Sequence, residues 1–138
     1  MQTDVMTEKI STAVNQNYID NYFHEMEQIC KRIDRTAVDR VIEALYSAWK
    51  YDKTVFIMGN GGSASTATHF VCDLSKCTIV DGKKRLRAIC LNDNIPLMSA
   101  WTNDNGFDNL YSEQLKNLMR KGDVLIGISV HGGTGKDR

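Results

Sequence analysis

The residues best suited to chemistry are Gly59-Asn60-Gly61-Gly62-Ser63. Glycines permit positive φ and let an anion come close to the backbone amides. A helix starting at Ser63 would aim free N–H groups and its positive dipole end at the same spot. Hydroxyls of Ser63, Ser65, Ser129 and Thr134 would add donors. Such a set suits a phosphate monoester, although a tight turn capped by serine explains the spacing almost equally well. A second polar loop, Ser129-Val130-His131-Gly132-Gly133-Thr134, carries a histidine that would project beside the first. His69 and Asp73 stand four residues apart, on one face of a helix. They can act as two metal ligands or as an acid/base pair. A plain hydrogen bond on the helix surface is the simpler reading of that spacing.

Two competing motifs carry less weight. Gly59-x-Gly61-x-x-Ala64 matches a dinucleotide fingerprint, but Asp93 lies about 30 residues past the loop, where a ribose-binding acid is expected after about 20. Gly132-Gly133-Thr134-Gly135-Lys136 resembles a P-loop superficially, yet Asp137 follows the lysine where Ser or Thr is required. A dinucleotide-binding oxidoreductase is therefore the weakest of three function classes, and an NTPase is rejected.

These loops need a scaffold. The 138 residues are 42% apolar and 25% charged, the composition of one globular domain. Seventeen basic residues balance seventeen acidic ones, which removes the electrostatic footprint of a nucleic-acid or membrane-surface binder. A small anion is still allowed, because oriented amides can hold it without net charge. Cys30, Cys72, Cys77 and Cys90 form no C-x-x-C pair and read as buried or semi-buried free thiols of a reducing compartment. No apolar leader is visible at the N-terminus, and the run Val55–Met58 is far too short to span a bilayer. A cytoplasmic protein is expected.

Tyr18, Ile19, Tyr22, Phe23, Met26, Ile29, Cys30 and Ile33 recur at spacings of three and four, predicting a long amphipathic helix over about residues 9–33. Thr36 and Asp39 resemble a capping box for a second helix, so residues 1–53 read as a helical hairpin suited to oligomerisation. Residues 54–138 alternate instead. Thr54–Met58, Arg85–Leu91 and Val124–Ile128 are strand candidates, the first and third reading as buried on both faces. Helices are expected from Ser63 to about Ser75, at Pro96, and over Phe107–Arg120, with Asn103–Gly106 as a turn. This alternation predicts an α/β fold: a three-layer α/β/α sandwich on a parallel, doubly wound sheet. The chain stops in a glycine-rich loop directly after a strand, so a partial domain is expected, with another helix and at least one more strand to follow.

Taken together, Met58-Gly59-Asn60-Gly61-Gly62-Ser63-Ala64, His69-Phe70, Thr102-Asn103-Asp104-Asn105-Gly106-Phe107 and Gly122 to Ser129 resemble the sugar-isomerase (SIS) domain family, in its phosphoheptose isomerase branch. The resemblance runs from about Tyr18 to Gly133. It implies a five-stranded parallel sheet and a homotetramer whose N-terminal helices form a central bundle. It also implies that Asn60, Gly61, Gly62 and Ser63 surround a sugar phosphate. Asn103 and Asp104 would hold sugar hydroxyls, and Ser129, Val130, His131 and Thr134 would line the phosphate end. His69 matches a zinc ligand. Asp73 stands where the isomerases carry a glutamate that serves as ligand and catalytic base. An aspartate there is one methylene shorter, and His131 replaces a hydroxyl of the family's serine-rich loop. The implied activity is aldose–ketose isomerisation of sedoheptulose 7-phosphate or a similar sugar phosphate. The alternative is a non-catalytic SIS protein that senses a phosphosugar or docks a protein partner.

Overall fold

The computed structural model describes residues 12–132. In order come helices α1 (Thr12–Arg32) and α2 (Arg35–Lys50), strand β1 (Thr54–Gly59), helix α3 (Gly62–Cys72), strand β2 (Arg87–Cys90), helices α4 (Ile95–Asn105) and α5 (Leu110–Leu118), and strand β3 (Val124–Ile128). A π-helical turn, Asp73–Cys77, continues α3, and a 3-10 turn, Phe107–Asn109, precedes α5. The chain divides into two compact units, one ending at Val38 and the other starting at Asp39.

In the first unit, the apolar stripe of α1 is exposed: Tyr18, Tyr22, Phe23 and Ile29 all lie open to solvent. The capping box expected from Thr36 and Asp39 is not used. Asp34 caps α2 instead, its Oδ1 accepting from the amides of Thr36 (2.9 Å) and Ala37 (3.1 Å). A short carboxylate one residue before the helix reaches those first-turn donors directly.

In the second unit, three parallel strands lie in the order β2-β1-β3. β1 is central, so its apolar run is covered on both faces: Val55, Phe56 and Ile57 are all essentially buried. Val55 and Ile57 share a cluster with Ala48 of α2, Ala67 of α3, Leu74 and Cys90. Side chains alternate along a strand, so Phe56 points to the opposite face. α5 contributes the buried Leu110 and Gln114, and Gln114 Nε2 donates to the carbonyl of Leu91 just past β2 (3.2 Å). Helices thus flank the sheet in the expected three layers. β3 departs from the expectation of a strand buried on both faces. Its residues alternate between half-buried and exposed, with Leu125 39% exposed, because one of its edges has no strand beside it among the described residues.

Asp123 ties the strand starts together. Its Oδ1 accepts from the amide of Thr54 (2.9 Å) and its Oδ2 from that of Arg120 (2.8 Å). The Thr54 amide above all, helped by the Arg120 amide and by Lys53 and Arg87, holds the Asp123 carboxyl below the usual carboxylate range despite some desolvation.

Asn103–Gly106 is not a free turn: Asn103, Asp104 and Asn105 form the last turn of α4, which Gly106 ends. The start of α4 is as expected, with Asn94 Oδ1 accepting from Leu97 N (3.1 Å) and Pro96 in the first turn. The cysteines are free, but Cys30, Cys72 and Cys77 are exposed, and Cys90 alone of the four is buried. Among the described residues no helix is long and apolar enough to cross a membrane.

Candidate functional site

β1 and β3 are parallel neighbours, with Gly59 paired to Ile128. Adjacent strands lie about 4.8 Å apart, so Asn60 and Ser129 leave the sheet side by side. The chain passes from β1 to β2 on one side, then crosses β1 to place β3 on the other. In open α/β sheets, ligands bind outside the carboxyl ends where the strand order reverses in this way.

The first loop is shaped by two glycines. A Cβ on Gly59 would lie 2.5 Å from the carbonyl oxygen of Ser63 and 2.9 Å from its Cβ, so the first turn of α3 closes directly on the strand end. Gly61 has φ 55, in the left-handed region, and forms the N-cap. The helix begins at Gly62, one residue before the expected Ser63. The amides of Ser63 and Ala64 bond back to the carbonyls of Asn60 and Gly61, each at 3.0 Å. The donors left open are therefore Gly61 N–H and Gly62 N–H, which have no partner among the described residues. Asn60, Gly61 and Gly62 are exposed, whereas Ser63 is buried.

Ser129, Val130 and His131 of the second loop are exposed. Thr134 lies outside the described residues. Asn103 Nδ2 donates to Asp104 Oδ1 (2.8 Å), and both residues are exposed on the last turn of α4. Among the described residues no hydrogen bond joins this pair, or His69 and Asp73, to the Asn60–Ser63 loop.

Two residues overlooked in the sequence organise the first loop. Asn92, two residues past β2, accepts at Oδ1 from Gly59 N (3.1 Å) and donates from Nδ2 to Gly59 O (2.9 Å). Its Nδ2 also donates to the Tyr111 hydroxyl (2.9 Å), which in turn reaches Gly59 O (2.6 Å) and Asn60 Oδ1 (2.9 Å). Asn92 reads as a turn residue from sequence. Its position just past a strand end, like that of Asn60, is the signal that it could serve the same crevice. Tyr111 carries no such signal. Asp93 accepts at Oδ1 from Thr68 Oγ1 of α3 (2.8 Å).

The SIS-domain sequence model matches residues 21–136. The chain belongs to the SIS-domain family. Lincomycin biosynthesis protein LmbN of Streptomyces lincolnensis is 49% identical over 92 residues, 67% of this chain and 34% of that protein. Phosphoheptose isomerase of Syntrophotalea carbinolica is 34% identical over 117 residues, 83% of this chain and 59% of that protein. The phosphoheptose isomerase GmhA structure from Neisseria gonorrhoeae superposes with a TM-score of 0.72 at 31% identity, covering 83% of this chain and 60% of that one. This SIS chain therefore spans about three-fifths or less of the length of these relatives.

The other pair of interest in this SIS chain spans the end of α3 and the π-helical turn that continues it. His69 Nε2 lies 3.6 Å from Asp73 Oδ2, with the side chains 79% and 50% exposed. Asp73 Oδ1 accepts from Cys77 Sγ at 3.6 Å. Partial shielding, then the Asp73 charge and hydrogen bond, raise the Cys77 thiol above its ordinary value. Among the described residues no group of three or more His, Cys, Asp or Glu side chains gathers around a metal-sized point. Two donor side chains alone do not close a four-coordinate metal site.

Proposed function

We propose that this chain is the phosphosugar-binding part of an aldose–ketose isomerase acting on sedoheptulose 7-phosphate or a similar sugar phosphate. The observation that carries the reading is the parallel pairing of Gly59 with Ile128, which sets the Asn60–Ser63 and Ser129–His131 loops beside each other at a strand-order reversal. Relatives named phosphoheptose isomerase support it. In this reading the Gly61 and Gly62 amides, Asn60 and the β3 loop, including Val130, His131 and Thr134, surround the phosphate. Asn103 and Asp104 hold sugar hydroxyls. Asp73 takes the C1 proton of the ketose and returns it to C2 through an enediolate, while the O1 proton passes to O2. His69 orients the carboxylate. Zinc is the proposed cofactor, with His69 and Asp73 as two of its ligands. It would supply polarisation of the sugar oxygens. Its test is the zinc content of the purified protein with and without His69→Ala, where an unchanged load rejects the metal.

The exposed stripe of α1 supports a homotetramer, and the free exposed thiols support a cytoplasmic setting. Isothermal titration with sedoheptulose 7-phosphate, run beside a coupled isomerase assay, tests the main reading. Saturable binding with turnover is expected; absence of binding rejects the site. A second reading, binding without turnover, is favoured by the open, half-exposed Asp73 and its bond to Cys77. Binding with no turnover would select it.

A further inference from the structure

We infer that Tyr111 is a positioning residue for the phosphosugar site, because its hydroxyl turns the Asn60 carboxamide so that Nδ2, not Oδ1, faces the ligand. The inference rests on the reading that Asn60 lines a phosphate site, and adds what sets its polarity.

The Asn92 amide has two N–H groups, which go to Gly59 O and to the Tyr111 oxygen, both at 2.9 Å. Tyr111 then has one proton of its own and two acceptors within reach, Gly59 O at 2.6 Å and Asn60 Oδ1 at 2.9 Å. Gly59 O is already served by Asn92. Asn60 Oδ1 has no other donor among the described residues. Without the hydroxyl proton Gly59 O keeps a donor in Asn92, whereas Asn60 Oδ1 keeps none among the described residues. With Oδ1 held towards Tyr111, the planar amide must turn Nδ2 the other way. Asn60 is exposed, and its Nδ2 has no partner among the described residues. Its neighbours on the chain are the open amides of Gly61 and Gly62. The loop so arranged offers N–H groups alone. A reversed amide would present a carbonyl oxygen to a phosphate and repel it.

Asn92 and Tyr111 have separable tasks. Asn92 grips both polar groups of Gly59 and holds the strand end. Tyr111 acts through a side chain that the backbone does not constrain. Loss of its hydroxyl leaves the Gly59 bonds to Asn92 in place.

The test measures affinity for sedoheptulose 7-phosphate by titration calorimetry in the unaltered protein, Tyr111→Phe, Asn60→Ala and the double variant. Tyr111→Phe should weaken binding about five- to tenfold, the worth of one oriented hydrogen bond. In the Asn60→Ala background it should change affinity by less than about twofold, since coupled residues do not add. Full additivity of the two losses would overturn the inference. So would a Tyr111→Phe protein that binds as tightly as the unaltered one. If the unaltered protein does not bind, the site reading fails first and takes this inference with it. A measurement that needs no variant covers the case of an unfolded Tyr111→Phe. In a 15N-labelled sample titrated with inorganic phosphate, the Asn60 side-chain NH2 signals should shift together with the Gly61 and Gly62 amides. Shifts of the backbone amides with a stationary Asn60 NH2 would overturn the assignment.

Discussion

Residue 59 admits glycine for steric reasons. A Cβ would meet the Ser63 carbonyl oxygen at 2.5 Å, and backbone atoms there cannot swing aside as a side chain would. Gly59→Ala should therefore push α3 off the strand end and cost about 1–3 kcal/mol, the range for overpacking. Thermal denaturation should show a melting point lower by several degrees, and an unchanged one would mean that α3 can slide freely. Asp73 makes a different prediction at this scale. If it is the proton-transfer base, Asp73→Asn should lower turnover roughly a hundredfold or more while leaving sugar phosphate affinity within a few-fold. Equal loss of both would assign it to binding. Glycines and the His69–Asp73 spacing were readable residue by residue, because each expresses a local rule. The burial of Ser63 and the partnership of Tyr111 with Asn60 were not, since they depend on side chains far apart in the chain.

At the scale of elements, the decisive tie is between β1 and the turn leading into β3. Asp123 holds the first amide of β1 and the Arg120 amide, and its carboxyl is held low by those bonds. A carboxyl with a folded value below its unfolded one contributes stability above the ordinary value of about 3.9 and loses it as pH falls through the folded value. Asp123→Asn should thus destabilise the protein by about 1 kcal/mol at pH 7, a figure reduced for solvent exposure. The gap between the two proteins should close as pH is lowered below the carboxylate range. Denaturation curves at neutral and strongly acid pH check the sign; a gap that widens in acid would contradict it. Elements themselves were legible. β3 runs over Val124–Ile128 as read, and α4 carries Pro96 in its first turn as read. The errors lie at ends and caps: Asp34 displaced Thr36, and α4 absorbed the expected Asn103 turn. Competing caps sit one or two residues apart, and packing decides between them.

At the scale of the molecule, α1 presents exposed Tyr18, Tyr22 and Phe23 on one stripe. A patch of this kind marks an interaction surface. Phe23→Glu should lower the assembled mass seen by light scattering towards that of a single chain. An unaltered mass would remove α1 from the interface and weaken the tetramer proposal.

The sequence by itself determined the α/β class, the parallel strands, the glycine loop and the SIS resemblance, because hydrophobic period and turn chemistry act over a few residues. Tertiary structure decided the rest. It placed β3 against β1, so that two loops about 70 residues apart start side by side. It also brought Asn92 and Tyr111 to the first loop and left Gly61 and Gly62 as its open amides. Strand order and side-chain partnership are properties of contacts between distant residues, and no local pattern encodes which strand lies next to which.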